Sequence, residues 1–436
     1  MLRNKRVFLV DGLRTPFLKF GQYGSFSGGD LAVQAGKALL NRNQLLVDKI
    51  DEVIIGSVRP EIKENNVARS VAMRLGLNYT LPAWTVQTNC ATGVLAVHAG
   101  VRALQDADVH IVLVGGTDAT SRINFSISKE YFNWLIALKR AHSLRERLRV
   151  LSKWRPSYLK LYSELVEGSY DYHTNTGLFA LTEILLDEFG ISKADLDAIR
   201  LRSNQRAAFA QDNGYFCEVT PIFDSKGQVY DKDTAIDREV TLEGLQKLQA
   251  LEGPYAVATI GHMVNLVDGA ALILLASEEA VEKYQLKPLC EIVDSTFSAG
   301  KTNHLGQALA YSTDKLLKRN GLQLNDIDFW EFYEASAAFP IVARKLLASD
   351  EKCQQYLGRK TAWGEIKEEQ YNVDGGLQGL GHAFGGTGVR YVLHMAHILR
   401  RHNAQYGMVH ATSIAGQSGG VLLKNITVAN EDARPE

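Results

Sequence analysis

The sequence predicts a layered α/β protein made of two related halves with an insert between them, and three observations carry that reading. Strand-like apolar runs (Val7–Val10, Glu52–Ile55, His110–Leu113) alternate with segments of helical periodicity (Asp30–Asn41, Gly93–Gln105), the rhythm of mostly parallel strands covered by helices. The string "LLNRN" at 39–43 returns as "LLKRN" at 316–320, an offset of 277, and Ile50-Asp51 returns at the same offset as Ile327-Asp328. Each match reads as a helix end followed by an apolar strand, so a duplicated half-fold explains the pair better than chance. Between the halves, roughly Ser121–Gly253, the strand rhythm stops.

Composition bounds the function. The 436 residues suffice for two or more domains with sizeable cores, at 46% apolar and 22% charged residues. A formal net charge of −1 argues against a global field for nucleic acid or membrane. The four cysteines, at 90, 217, 290 and 353, form neither a CxxC pair nor a Cys/His metal pattern. A reduced, cytoplasmic setting is therefore expected, with no metal and no resident cofactor. The opening "MLRNKRVFLVDGLRTPF" carries basic residues, but its apolar run is too short for a signal-peptide core. No stretch approaches the roughly 18 apolar residues of a membrane-spanning helix.

In chain order, the first element with chemistry is "NCATG" at 89–93, where an apolar strand ends and a helix begins. Only a thiolate attacks a thioester, and helix-start N–H groups lower a thiol pKa, so Cys90 reads as a nucleophile whose own N–H is available to an oxyanion. Taken alone, that local sequence fits a buried structural cysteine better. Next comes a stretch rich in aromatic and basic residues: 129–160 holds nine Lys/Arg against two Glu, interleaved with Tyr131, Phe132, Trp134, Leu144, Leu148 and Trp154. It is either a solvated hairpin covering the core or a basic amphipathic surface for a membrane or a partner subunit. No recognition motif for nucleic acid accompanies the charge.

Near the other end, seven glycines within 375–388 surround His382 ahead of a long helical pattern. Such a loop presents a histidine rather than packing it. Neither GxGxxG nor GxxxxGK fits, which leaves a cysteine and an imidazole, a pair suited to acyl transfer. His98 reads as a packing residue in the helix after Cys90, and His410 as a structural residue of the terminal strand.

Together these segments resemble the thiolase family, and within it especially the β-subunits of the fatty-acid oxidation (trifunctional) complexes. "VFLVDGLRTPF" at 7–17 resembles the opening strand, "NCATG" the nucleophile turn and "GLGHAFGGTGVR" at 379–390 the catalytic-histidine loop. "GLFALTEILLDEFGISKADLDAIRLRSNQRAA" and "TIGHMVNLVDGAALILL" resemble the stretches after the loop-domain insert. The basic hairpin also has a counterpart in that subfamily, associated there with membrane contact.

The resemblance implies roles residue by residue. Cys90 becomes acylated, and His382 activates it and donates to the thioester oxygen. Where the family has the Asn or His of an "NEAF"-like motif holding an oxyanion-hole water, this chain reads "EFYEASAAF", putting Tyr333 there. Where the family keeps a second cysteine as acid/base, "HATSIAGQSGG" offers Ser413, or Thr412 on a one-residue shift. A serine hydroxyl is a far poorer base near neutral pH than a thiol of pKa about 8.5. Val264 and Gly416 fall at the family's coenzyme A contacts. Further departures are Ala383 for a proline and Leu181-Thr182-Glu183 for a longer loop-domain motif. His262, where the family has Asn, is either a substitute base or a hydrogen-bonded core residue.

The expectation is an α/β thiolase fold of two similar βαβαβαββ halves, α-β-α-β-α layering and an inserted loop domain. The halves are 1–120 plus 254–280 and 281–436, and the loop domain with its basic hairpin is 121–253. The expected function is acyl-CoA acyltransfer through acyl-Cys90, by thiolysis or the reverse condensation. A biosynthetic carbon–carbon condensing enzyme and a non-catalytic lipid- or partner-binding subunit are the alternatives. Expected partners are acyl-CoA substrates and a second copy, as a homodimer or dimer of dimers. An α-subunit or a peripheral membrane contact would engage 129–160.

Overall fold

The computed structural model describes residues 5–21, 26–122, 124–163, 168–171, 173–251, 253 and 255–427. The first half runs β1 (Val7–Arg14), α1 (Gly28–Arg42), β2 (Glu52–Gly56), α2 (Val67–Arg74), β3 (Ala83–Val86), α3 (Thr92–Ala103) and β4 (Ile111–Ala119). The insert carries α4 (Lys129–Arg140), α5 (Leu144–Leu151), α6 (Leu178–Phe189) and α7 (Lys193–Asp212) before β5 (Val267–Ser277) returns to the first half. The second half follows as β6 (Cys290–Ala299), α8 (Gly306–Asn320), β7 (Phe329–Glu331), α9 (Ala338–Leu347), α10 (Gly385–His402), β8 (Tyr406–Ser413) and β9 (Gln417–Lys424).

The strands lie in the order β7-β8-β9-β6-β1-β5-β4-β2-β3. β2, β3 and β4 are parallel, and β5 runs antiparallel between β4 and β1. The second half repeats this plan, with β9 antiparallel between β8 and β6 and the third strand reduced to a single parallel bridge, Trp330–Tyr371. The halves join edge to edge where Val7–Leu9 pairs with Cys290–Ile292. Helices α1 and α2 cover one face of the first half, α8 lies on the far face of the second, and α3 and α10 pack together between the halves. β4 and β5, covered on both faces, are buried throughout and read as largely apolar runs without polar alternation.

The repeat seen in the sequence is a repeated polar brace. In the first half Asp11, beside a bulge in β1, accepts from Arg42 (Nε, 2.7 Å), Asn43 and the Gly12 N–H. In the second, Asp294, beside a bulge in β6, accepts from Arg319 (Nε, 2.9 Å), Asn320 and the Ser295 N–H. The second matched pair behaves alike: Asp51 takes the N–H groups of His110 and Ile111, and Asp328 those of Gln405 and Tyr406. Each carboxylate thus ties a helix end or a strand start to its neighbour.

The basic hairpin does not cover the core. No residue of α4 or α5 is buried, and Phe132, Leu144 and Leu148 are 53%, 76% and 58% exposed. The two helices hold to each other through Trp134 Nε1 donating to Val150 O at 2.9 Å, the Trp134 ring being stacked on Tyr131 of its own helix.

Candidate active site

Each half presents one reactive residue just before its central helix. Cys90 lies two residues before the first residue of α3, and His382 three before that of α10. The helices approach closely there because Gly93 and Gly388 face each other. A Cβ on Gly93 would sit 2.8 Å from the Gly388 Cα, so any larger residue would part the helices and the two residues they carry.

The Cys90 turn is strained. Asn89 has φ 49°, the Thr88 N–H donates to Thr92 Oγ1 at 2.8 Å, and the Thr92 N–H donates to Asn89 O. Thr88 Oγ1 donates to Gln417 Oε1 of β9 at 2.6 Å, tying the turn to the second half. Phe384 (φ 39°) and Ala415 (φ 70°) are similarly strained, so left-handed non-glycine residues flank Cys90, His382 and Ser413 alike. Strain held by surrounding structure gathers at functional sites.

The expectation of a thiol acidified by its helix start needs correction. Cys90 keeps an accessible face, but burial of its thiol dominates and pushes its pKa up. A hydrogen bond with Tyr333, then the Arg59 cation, then its own backbone N–H pull it down only in part. His382 is likewise packed rather than presented, at 1% exposure. Its ring contacts Phe384 (centroids 4.6 Å apart) and Tyr333 (5.3 Å, edge to face). Burial, with the Arg390 cation as the lesser cause, lowers its pKa to about 3, so the imidazole is neutral at pH 7. His382 Nδ1 lies 2.8 Å from Thr387 Oγ1, which also accepts the Ala383 N–H.

Tyr333 joins the two residues. Its hydroxyl is 3.2 Å from His382 Nε2, its side chain is buried, and it lies near enough to the Cys90 thiol to pull that group's pKa down. Its neighbour Glu334 accepts from Ser203 Oγ, Asn372 Nδ2 and the Gln378 N–H, which anchors the segment from three sides.

Sheet register separates Ser413 from Thr412. Thr412 pairs with Ser418, whose hydroxyl lies 2.8 Å from Ser312 of α8, so Thr412 faces the outer helix. Ser413 pairs with Gln417, which holds Thr88 two residues before Cys90. Ser413 therefore lies on the face of the Cys90 turn, buried, its hydroxyl donating to Ile414 O at 3.2 Å. The Val264 N–H donates to Ala335 O, next to the segment whose Asn265 O accepts the His382 N–H. Gly416 (φ 69°) presses on the 300–301 loop, and a Cβ there would meet Lys301 O at 2.0 Å.

Both ring nitrogens of His262 are committed, Nε2 to Asp197 at 2.7 Å and Nδ1 to the Thr259 N–H at 3.0 Å. That makes it a buried structural residue. His98 bonds Ser295, and His410 lies against Ser312 and Thr313.

Three residues that shape the site were not singled out in the sequence. Thr387 is the one hydroxyl in the glycine run, a signal that was available. Asp118 accepts from Ser57 Oγ and the N–H groups of Val58, Arg59 and Gly385, bracing the start of α10. Burial pushes Asp118 up to about 6 against the pull of those donors. Arg59 stacks over the Phe384 ring at 5.3 Å. Nothing in "GSVRP" or "GGTDA" points to either residue.

The models for the thiolase N-terminal and C-terminal domains match residues 7–279 and 286–425. The chain is similar to the mitochondrial trifunctional enzyme subunit beta of Mus musculus, at 32% identity over 423 residues, covering 96% of this chain and 88% of that protein. It is also 30% identical over 429 residues to a 3-ketoacyl-CoA thiolase of Salmonella paratyphi A, covering 96% and 97%. The crystal structure of human mitochondrial 3-ketoacyl-CoA thiolase matches with a TM-score of 0.84 at 28% identity, over 97% of this chain and 99% of that one. With both domain models matched in order and the two-half architecture in place, this chain belongs to the thiolase family.

Proposed function

We propose that the chain is an acyl-CoA acyltransferase that forms a thioester on Cys90, with Tyr333 relaying the proton between Cys90 and His382. The observation that carries this reading is the buried phenol placed 3.2 Å from His382 Nε2 and beside the Cys90 thiol, whose pKa it lowers. With the Nδ1–H on Thr387 Oγ1, Nε2 offers its lone pair to the phenol. The thiol proton passes to the phenol oxygen as the phenol proton passes to Nε2, and the thiolate attacks the acyl carbonyl. Return of that proton along the same path to the departing coenzyme A sulfur leaves acyl-Cys90 and free coenzyme A. The thiol and the imidazole both rest neutral, so charge separates only as the acyl group arrives. Coenzyme A enters as substrate, and no resident cofactor takes part. Intact-mass measurement after mixing with acyl-CoAs should find one added acyl group, absent in Cys90→Ser. An equal adduct in that variant would overturn the assignment.

Ser413 favours a second reading of the later step. A hydroxyl bonded to Ile414 O is a poor base for an acetyl α-carbon. An acceptor activated by loss of CO₂ from a malonyl thioester, or as an electron-rich ring, needs no such base.

The exposed hairpin supports a peripheral contact with an anionic membrane or an α-type partner subunit, through nine Lys/Arg and unburied apolar residues. Binding to anionic vesicles or to a partner should fall with salt and be lost when Arg145, Arg147 and Arg149 become Glu. No binding by wild type to either at low salt would dismiss the contact.

A further inference from the structure

Away from Cys90, the turn after α7 meets the second half of α10. Cys217 Sγ lies 3.5 Å from His397 Nδ1, and Cys217, Glu218 and His397 each offer a ligand atom within 4.8 Å of the other two. For comparison, zinc bonds of about 2.3 Å to sulfur and about 2.0 Å to nitrogen at a tetrahedral angle place those atoms about 3.5 Å apart.

A second observation points to a ligand. Glu218 is 1% exposed, and only one of its carboxylate oxygens is engaged, Oε1 with Arg14 Nε at 3.1 Å and His394 Nδ1 at 3.2 Å. Its Oε2 is buried with no hydrogen-bond partner, as is His397 Nε2. A buried carboxylate oxygen without a donor is costly, and a cation would satisfy it. Entry is open, since Cys217 is exposed.

Neighbouring charges select the kind of cation. Arg14 is paired with Asp233 and Glu218, and Asp374 takes both Arg401 and His394, so the surroundings carry no excess of negative charge. A hard cation such as Mg²⁺ or Ca²⁺, which needs several oxygen ligands, gains little here. A thiophilic dication that displaces the Cys217 proton gains a thiolate, an imidazole and a carboxylate.

We propose that Cys217, Glu218 and His397 form a zinc-type site that clamps the turn after α7 to α10, with solvent in the fourth position. On binding, the Cys217 S–H bond breaks, its proton goes to water, and a sulfur–metal bond forms without change of oxidation state. Because α10 begins at the His382 loop, the clamp would hold the far end of the helix that carries the site.

Co²⁺ titration of the purified full-length protein tests this. One equivalent should give a thiolate-to-cobalt charge-transfer band in wild type and in Cys90→Ser, lost in Cys217→Ser and displaced by Zn²⁺. In His397→Gln the metal should bind at least about tenfold more weakly. In wild type, Zn²⁺ should also protect Cys217 from alkylation, located by peptide mass. No thiolate band in wild type, a band surviving in Cys217→Ser, or alkylation unaffected by Zn²⁺ would each overturn the site.

Discussion

The two halves share a plan yet hold their reactive residues in different surroundings. Asp11 with Arg42 and Asn43 in the first half, and Asp294 with Arg319 and Asn320 in the second, fix the same bulge to the same helix end. The central helices start side by side. Cys90 nevertheless stands in a strained turn with an accessible face, whereas His382 is sealed beneath Tyr333 and Phe384. Duplication therefore accounts for where the two residues stand, and the non-repeated side chains account for what each can do. The accessible group suits meeting a bulky thioester; the sealed one suits holding a proton away from water.

The largest expected effects test that division of labour. His382→Ala should slow acylation of Cys90 by about 10²-fold or more, and Tyr333→Phe by a similar factor. Because the two act as one relay, the double variant should be little slower than either single one in rapid-quench mass measurements. Multiplying losses would show that Tyr333 and His382 act separately. Next is a gain of function on the second half's strand. Ser413→Cys should raise α-deuterium exchange of acetyl-CoA by about 10²-fold while Thr412→Cys does not, because only position 413 shares the face of the Cys90 turn. Rapid exchange already in wild type would mean that another base operates. The smallest effect concerns the shared brace. Asp11→Ala and Asp294→Ala should each lower stability by about 1–2 kcal/mol, since both braces are partly exposed and offer the same three donors. A markedly unequal pair of denaturation midpoints would break the equivalence of the halves.

Much of this was legible in the sequence. The repeat at an offset of 277 pointed to both braces, although only as a pattern, because the Arg-Asn pair is local while its aspartate lies about 30 residues away in the chain. The alternation of strands and helices gave the layers, and Cys90, His382 and Tyr333 stood out as residue types in unusual company. What misled was local reasoning about environment. A cysteine before a helix suggests a lowered pKa, but desolvation depends on what packs over it, and here burial outweighs the helix start. A histidine among glycines suggests display, yet those glycines serve close helix packing that buries the ring.

By itself the sequence determined the local and periodic features: element types, the duplicated plan, the insert, and the identities of the residues able to do chemistry. These follow from interactions within a few residues or from patterns repeated along the chain. Only the tertiary structure decided which of them meet. Register across β8 and β9 set Ser413 rather than Thr412 on the site's face, Asp197 and the Thr259 N–H took both nitrogens of His262, and Tyr333 came between a thiol and an imidazole 292 residues apart in the chain. Burial and hydrogen bonding depend on distances in space, and no window of sequence contains them.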